Sequence, residues 1–330
     1  MTSFLRNLSP DHQVGLLFVL LFGFLALSST VLLVLSLRER RVGEGEVTGL
    51  GLLLKDYQGL LRTSWLMALV FWLGWAAGGG MATALFAMVS FFILREFISL
   101  SPTRRGDHRS LLMAFFLVLP LQYLLVWTER FDLFTVFIPV YVFLAIPTVS
   151  ALGNDPQQFL ARNAKLQWGI MVCVYGMSHV PALLLLDFPQ SSGRAAFLVF
   201  FLVAVVQTGQ LVEHIVSKKY GRRAVAPSIS ASFNWMGWGA GVLVGGLLGA
   251  ALAGFTPFKP LPAMAMALLA SAAGSFGHLV MKAIKRDRGV TYWGSAGRSV
   301  TGASGLLDRV DALCFAAPVF FHSVRWNFNL

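Results

Sequence analysis

Charged side chains are scarce in this sequence. They make up 12% of the 330 residues, whereas 56% of the residues are apolar, and so few charges cannot keep the surface of a chain of this length in water. Cysteine is scarcer still, with Cys173 and Cys314 both inside apolar runs, where a free cysteine behaves as a small hydrophobe. Two such residues provide no metal-binding or redox spacing.

Long apolar runs dominate the sequence instead. Crossing about 30 Å of hydrocarbon takes about 20 residues of helix, and nine or ten runs approach or exceed this length. They lack strand-like alternation, and backbone polar groups in lipid must be satisfied within their own segment. The sequence therefore predicts an all-α, polytopic membrane protein with spans at residues 14–37, 64–78, 81–100, 110–127, 133–152, 166–186, 195–216, 234–255, 261–281 and 310–326.

Basic residues predict the orientation of these spans. Most of the 26 lysines and arginines fall in the loops after spans one, three, five, seven and nine, and cytoplasmic loops carry the excess of positive charge. We therefore expect these loops to face the cytoplasm from the cytoplasmic (inner) membrane, with both termini outside. The net charge of +11 then reflects loops beside anionic lipid headgroups rather than a nucleic-acid partner.

We predict two regions, residues 1–190 with spans one to six and residues 191–330. Two basic loops in the second region carry most of the chemical information. The loop after span seven, residues 218–230, places Arg222 and Arg223 beside Gly221 and ends at Ser230. Clustered cations next to a glycine turn suit phosphate groups. The alternative is an ordinary basic loop at the membrane surface.

The loop after span nine ends in two carboxylates. Asp308 and Asp311 lie three residues apart, which places both on one face of a helix, and Arg309 lies between them. Paired carboxylates are suitable ligands for the Mg²⁺ that accompanies nucleotide phosphates. A helix start held by salt bridges is the alternative interpretation.

Several stretches resemble the phosphatidate cytidylyltransferases, also called CDP-diacylglycerol synthases. The sequence GLLDRVD at residues 305–311 resembles the G-x-x-D-R-x-D end of the family signature. The residues from Gly221 to Ser230 resemble its G-[RK]-x-x-x-x-P-x-[IV]-S run, and Arg95-Glu96-Phe97 resembles a further recurrent element. Members of this family are integral membrane enzymes of phospholipid biosynthesis that join CTP to phosphatidate and release pyrophosphate.

The resemblance implies a set of site residues. Asp308, Asp311 and Arg309 would be catalytic, with Mg²⁺ held by the two aspartates, and CTP and phosphatidate would be the substrates. The implied substrate-binding residues are Arg222, Arg223, Ser230, Lys285 and Arg286.

Other positions of the family pattern are changed in this chain. His278 stands where the family has aspartate, and Lys282 stands where it has serine. An expected asparagine–aspartate pair falls near Gly209 and carries no carboxylate. Substitute metal ligands would be Glu213, His278 or Asp287.

Three classes of function remain open from the sequence. The chain could be a cytidylyltransferase with shifted ligands, or a non-catalytic relative that binds lipid or a partner protein. A transporter is the third class, supported only by polar residues such as Glu213 and His214 near or inside spans. Glycines in span eight favour close helix packing or a subunit contact, and a homodimer is accordingly possible.

Overall fold

The computed structural model describes residues 10–42, 58, 61, 65, 68–69, 71–100, 103–188, 195–221, 223–290, 293 and 305–329. Within these ranges the secondary structure is helical, apart from one isolated bridge between Ala226 and Ser230. The all-α class is therefore confirmed. The helices are α1 (Pro10–Val42), α2 (Gly79–Ser99), α3 (Arg105–Trp127), α4 (Phe131–Ala151), α5 (159–184), α6 (Ala195–Tyr220), α7 (Trp235–Phe255), α8 (Pro260–Asp287) and α9 (Leu307–Phe328).

Seven of the described helices are long and apolar enough to cross a membrane, namely α1 to α4 and α6 to α8. The protein is thus a polytopic membrane protein. Helix α5 contains most of the predicted span 166–186 and α9 contains all of the span 310–326, but neither is among the seven. Both carry polar side chains that are enclosed by protein, such as His179 and Asp311, which are 0% and 2% exposed. The predicted span 64–78 lies partly outside the described residues, and residues 71–76 within it are helical.

Helix α9 is buried along most of its length. It contacts α8, α6 and both the middle and the end of α5, and Phe320 and Phe321 on it are fully buried. Other helices surround it, so the charged side chains of its first turn can pair with side chains of those helices. Gly305, immediately before α9, has φ +84°, a conformation that glycine adopts without steric cost.

Helices α6, α7 and α8 pack closely through glycines. A Cβ atom on Gly241 of α7 would lie 2.5 Å from the carbonyl oxygen of Gly209 on α6. A Cβ atom on Gly245 would overlap Oγ of Ser271 on α8. These glycines therefore serve close helix packing within the chain, while homodimerisation stays a prediction.

The chain divides into two compact units, Met1–Ala82 and Thr83–Leu330. In the first, Phe18 packs against Phe71 and Trp75, and Trp65 donates a hydrogen bond to Ser29. The second unit contains all the candidate site residues. The predicted boundary at residue 190 stays a prediction.

Candidate functional site

One face of α8 carries a row of polar side chains. Ser275, His278, Lys282 and Lys285 follow one another at intervals of three or four residues, which aligns them on one side of the helix. The row meets the first turn of α9. Lys285 and His278 on α8 therefore meet Asp308 and Asp311 on α9.

Asp308 is held by two nitrogen donors. Its Oδ1 atom accepts a short hydrogen bond from Nζ of Lys285, and its Oδ2 atom accepts one from the backbone N–H of Trp293 at 2.9 Å. Only 15% of the Asp308 side chain and 10% of the Lys285 side chain are exposed. This carboxylate therefore forms a nearly buried ion pair.

Asp311 is enclosed more completely. Its Oδ2 atom accepts a hydrogen bond of 2.7 Å from Nδ1 of His278, because an ionised carboxylate can only accept. Its Oδ1 atom lies 2.7 Å from the backbone nitrogen of Ala312. The side chain of Asp311 is 3% exposed, whereas that of His278 is 31% exposed.

Glu213 reaches the same cluster from α6. Its carboxylate accepts a short hydrogen bond from the hydroxyl group of Ser275. Lys282 interacts with the charges of Glu213 and Asp311, and its ammonium group makes no hydrogen bond or ion pair within the described part of the chain. The cluster thus contains a half-buried lysine between two carboxylates that are engaged elsewhere.

Helix α2 supports the start of α9. The carboxylate of Glu96 accepts hydrogen bonds from the backbone N–H groups of Leu306 and Leu307 at 3.2 and 2.8 Å. The first N–H groups of a helix have no partner within it, so Glu96 serves as a cap supplied from another helix. The ring of Phe97 stacks on the buried ring of Trp293 with centroids 5.3 Å apart.

The connection between α6 and α7 folds back on the end of α6. Asn234 caps α7, since its side-chain oxygen accepts a hydrogen bond of 2.7 Å from the N–H group of Gly237. The predicted substrate-binding residue Ser230 is buried in the preceding turn, and Arg223 is exposed. Arg222 lies outside the described residues.

The remaining candidates lie at the margin of the cluster. Arg286 is exposed, and Asp287 is 68% exposed in an ion pair with the neighbouring Arg288. Arg309 is half-buried, and its guanidinium group forms no ion pair with any residue described. The structure therefore brings together Asp308, Asp311, Lys285, His278 and Glu213, and leaves Arg286 and Asp287 outside the hydrogen-bonded set.

The arrangement does not fit a resident Mg²⁺ ion. Mg²⁺ takes oxygen ligands, and both oxygens of Asp308 and both of Asp311 already face nitrogen donors. A bound ion would compete with the ammonium group of Lys285 for Asp308 and with the imidazole of His278 for Asp311. Among the described residues, no group of three or more His, Cys, Asp and Glu side chains is arranged to hold a metal.

Some of these contacts had a sequence signal and others had none. Asn234 precedes an apolar run, where a cap is expected, and the resemblance had pointed to Arg95-Glu96-Phe97 without a role. The hydrogen bond between Glu213 and Ser275 joins residues 62 positions apart, and no local pattern predicts it.

These features define a class: a polytopic α-helical membrane protein with a cluster of carboxylates and cations at one end of its helices. The model of the cytidylyltransferase family matches residues 60–326, and the chain belongs to this family.

Relatives of different kinds resemble the chain. The "Uncharacterized protein YnbB" of Escherichia coli (strain K12) is 34% identical over 272 residues, which are 81% of this chain and 86% of the relative. The phosphatidate cytidylyltransferase of Brucella abortus (strain 2308) is 32% identical over 126 residues, 37% of this chain and 45% of that protein. The same enzyme from Brucella suis biovar 1 matches to the same extent.

Proposed function

We propose that this protein is a phosphatidate cytidylyltransferase of the inner membrane, with its site facing the cytoplasm. The observation that carries the proposal is the convergence of Lys285, His278, Asp308 and Asp311 in one cluster, in a chain of the cytidylyltransferase family. The named Brucella relatives support the choice of substrates.

The proposed reaction joins the phosphate of phosphatidate to the cytidylyl group of CTP. An oxygen of the lipid phosphate bonds to the α-phosphorus of CTP, the bond from that phosphorus to the β-bridging oxygen breaks, and pyrophosphate leaves. Such transfers depend mainly on positioning and on neutralising phosphate charge. Lys282 and Arg309 are cations without an ion-pair partner among the described residues, and they are suited to that task.

The test is pyrophosphate release by the purified full-length chain in liposomes. We expect release only when CTP and phosphatidate are both present, and a loss of activity in Asp308→Asn. Asp187→Asn is the matched control, because Asp187 is exposed and lies between α5 and α6. Absence of release with both substrates, from protein that is folded, would contradict the proposal.

A non-catalytic relative is the second candidate. It is favoured by the two carboxylates, each of which is already engaged by a side chain of the protein itself. On this alternative the chain would bind lipid or a partner protein, and CTP would neither raise the melting temperature nor lead to release of pyrophosphate. A ligand at about one hundred times its dissociation constant stabilises the folded state by about 2.7 kcal/mol. A protein whose melting temperature is unmoved by CTP or phosphatidate would bind neither.

A further inference from the structure

Nitrogen groups of the protein itself contact both Asp308 and Asp311. The ammonium group of Lys285 lies on one carboxylate and the imidazole of His278 on the other. Both contacts are almost enclosed, since 15% of the Asp308 side chain and 3% of the Asp311 side chain are exposed. A cation that approached either carboxylate would compete with a nitrogen group that the protein already supplies.

Two departures from the family pattern both make one face of α8 less negative. His278 replaces an aspartate and Lys282 replaces a serine, so one negative group is lost and one positive group is added on the same face of α8. Lys282 lies four residues after His278 and three before Lys285, within the same row. This face of α8 thus presents His278, Lys282 and Lys285, where the family pattern has an aspartate, a serine and a lysine.

Lys282 is the member of this row that is left for a ligand. Lys285 and His278 are each bonded to an aspartate, and the carboxylate of Glu213 is bonded to Ser275. Lys282 is half-buried, and it has only the longer-range attraction of Glu213 and Asp311, so an anion that reached it would gain a direct partner. A phosphate group supplies that anion and accepts charge-assisted hydrogen bonds.

We infer that this site binds a substrate phosphate without a resident divalent cation. Lys282 contacts the phosphate, while Lys285 and His278 stay bonded to the carboxylates of Asp308 and Asp311. The inference rests on the proposed function, because it concerns the phosphates of the same two substrates. Either the triphosphate of CTP or the phosphomonoester of phosphatidate has the required chemistry.

The binding experiment uses the full-length chain in neutral detergent, with CTP and a short-chain phosphatidate as separate probes. We expect at least one probe to bind in EDTA with an affinity within about threefold of that in Mg²⁺. Lys282→Met should weaken this binding about tenfold or more, the usual effect of losing a hydrogen bond to a charged group. Lys282→Arg should retain most of it. Lys165→Met is the matched control, since Lys165 is also half-buried on a helix.

A second experiment adds Mn²⁺ without nucleotide or lipid and measures its binding by electron paramagnetic resonance. The unmodified protein should bind no Mn²⁺ at this site, whereas His278→Asp, which restores a carboxylate beside Asp311, should gain binding. The inference is overturned if the unmodified protein binds Mn²⁺ and loses it in Asp311→Asn. It is also overturned if both probes bind only with Mg²⁺, or if neither probe binds.

The two proposals fail separately. Binding of CTP in EDTA without pyrophosphate release would contradict the proposed function and leave the inference standing. Pyrophosphate release that depends on a metal held by Asp311 would support the proposed function and contradict the inference.

Discussion

Lys285 and Asp308 form an ion pair in which both side chains are almost buried. Taking both charges out of water is costly, and the pair recovers this cost only while both partners are present. Removal of one partner leaves an uncompensated charge among the helices. The pair is therefore strongly coupled, whatever its net contribution to stability.

A double-mutant cycle tests this coupling. Lys285→Met and Asp308→Asn should each lower the free energy of unfolding by about 3 kcal/mol. The double variant should lose clearly less than the sum, because neither charge is then left alone. Titration with SDS in mixed micelles measures these values. The pair of Lys285→Met with Asp187→Asn should be additive, and additivity in the first cycle would contradict the ion pair.

Arg162, in the first turn of α5, organises a second charged group with Asp155 and Asp107. This buried arginine contacts Asp155 and lies 3.1 Å from Oδ1 of Asp107. The hydrogen bond from Arg162 lowers the pKa of Asp155, and Arg104 adds a weaker attraction at 3.9 Å. These contacts join the start of α3 to the start of α5 and to Asp155 in the connection before it.

The lowered pKa predicts a dependence of stability on pH. A carboxyl group whose pKa is lower in the folded state contributes stability that is fully present above its unfolded pKa, about 3.9. That contribution is lost as the pH falls through the lowered folded value. Melting temperatures between pH 7 and pH 3 should therefore fall less in Asp155→Asn than in the unmodified protein. An equal fall in both would contradict a stabilising contact.

Among the helices, the packing of α7 depends on the absence of side chains. Gly237, Gly241, Gly245, Gly246 and Gly249 are all buried. At Gly239, on the same helix, an added Cβ atom would have no other atom within 4 Å outside its own helix backbone and neighbours. One helix therefore contains both a contact face and an open position, which makes a matched comparison possible.

Gly241→Ala should destabilise the protein, because its Cβ atom would lie 2.5 Å from a backbone oxygen of α6. Overpacking of this kind costs about 1–3 kcal/mol. Gly239→Ala should be neutral or stabilising by up to about 1 kcal/mol, since alanine favours a helix more than glycine does. Thermal unfolding in detergent distinguishes them. Equal effects of the two changes would refute the close approach of α6 and α7.

Glu96 connects α2 to α9 through hydrogen bonds alone. Glu96→Ala removes the acceptor for the N–H groups of Leu306 and Leu307 and should cost about 1–2 kcal/mol, as for other helix caps. Since those residues precede Asp308, pyrophosphate release should fall as well. Glu96→Gln keeps one acceptor and should retain more stability. Arg95→Ala, at an exposed neighbouring position, should leave the melting temperature unchanged.

Across the molecule as a whole, the ends of α2, α6, α8 and α9 meet at the candidate site. Those ends adjoin the loops after predicted spans three, seven and nine, which the basic residues assign to the cytoplasm. A site for CTP requires this orientation, because the nucleotide is supplied from the cytoplasm.

Cysteine labelling of intact cells tests the orientation. Arg105→Cys and Arg223→Cys should be protected from a membrane-impermeant maleimide, whereas Lys259→Cys, between α7 and α8, should react. The native Cys173 and Cys314 are buried and give a low background. Labelling at position 223 from outside would place the site on the wrong face for the proposed reaction.

The order of amino acids is enough to show that this protein is helical and lies in a membrane, because apolar runs of this length have few alternatives in water or lipid. It also selected Asp308, Asp311 and Lys285, since the family motif is local and survives there in the order of the residues, and His278 as a substitute ligand at a changed position of that motif. Nine or ten spans were expected, and seven described helices qualify. Predicted span 64–78 lies partly outside the described residues, and α5 and α9 carry buried polar side chains that hydropathy alone cannot assign to lipid or to protein.

The groups that the selected residues contact depend instead on the packing of the helices. The sequence offered Asp308 and Asp311 equally as metal ligands or as salt-bridge partners. The rotation of α8 against α9 brings Lys285 and His278 onto them. Likewise Glu96 meets an α9 backbone about 210 residues later. Such pairings form across large sequence separations, and no periodicity along one helix encodes the partner on another.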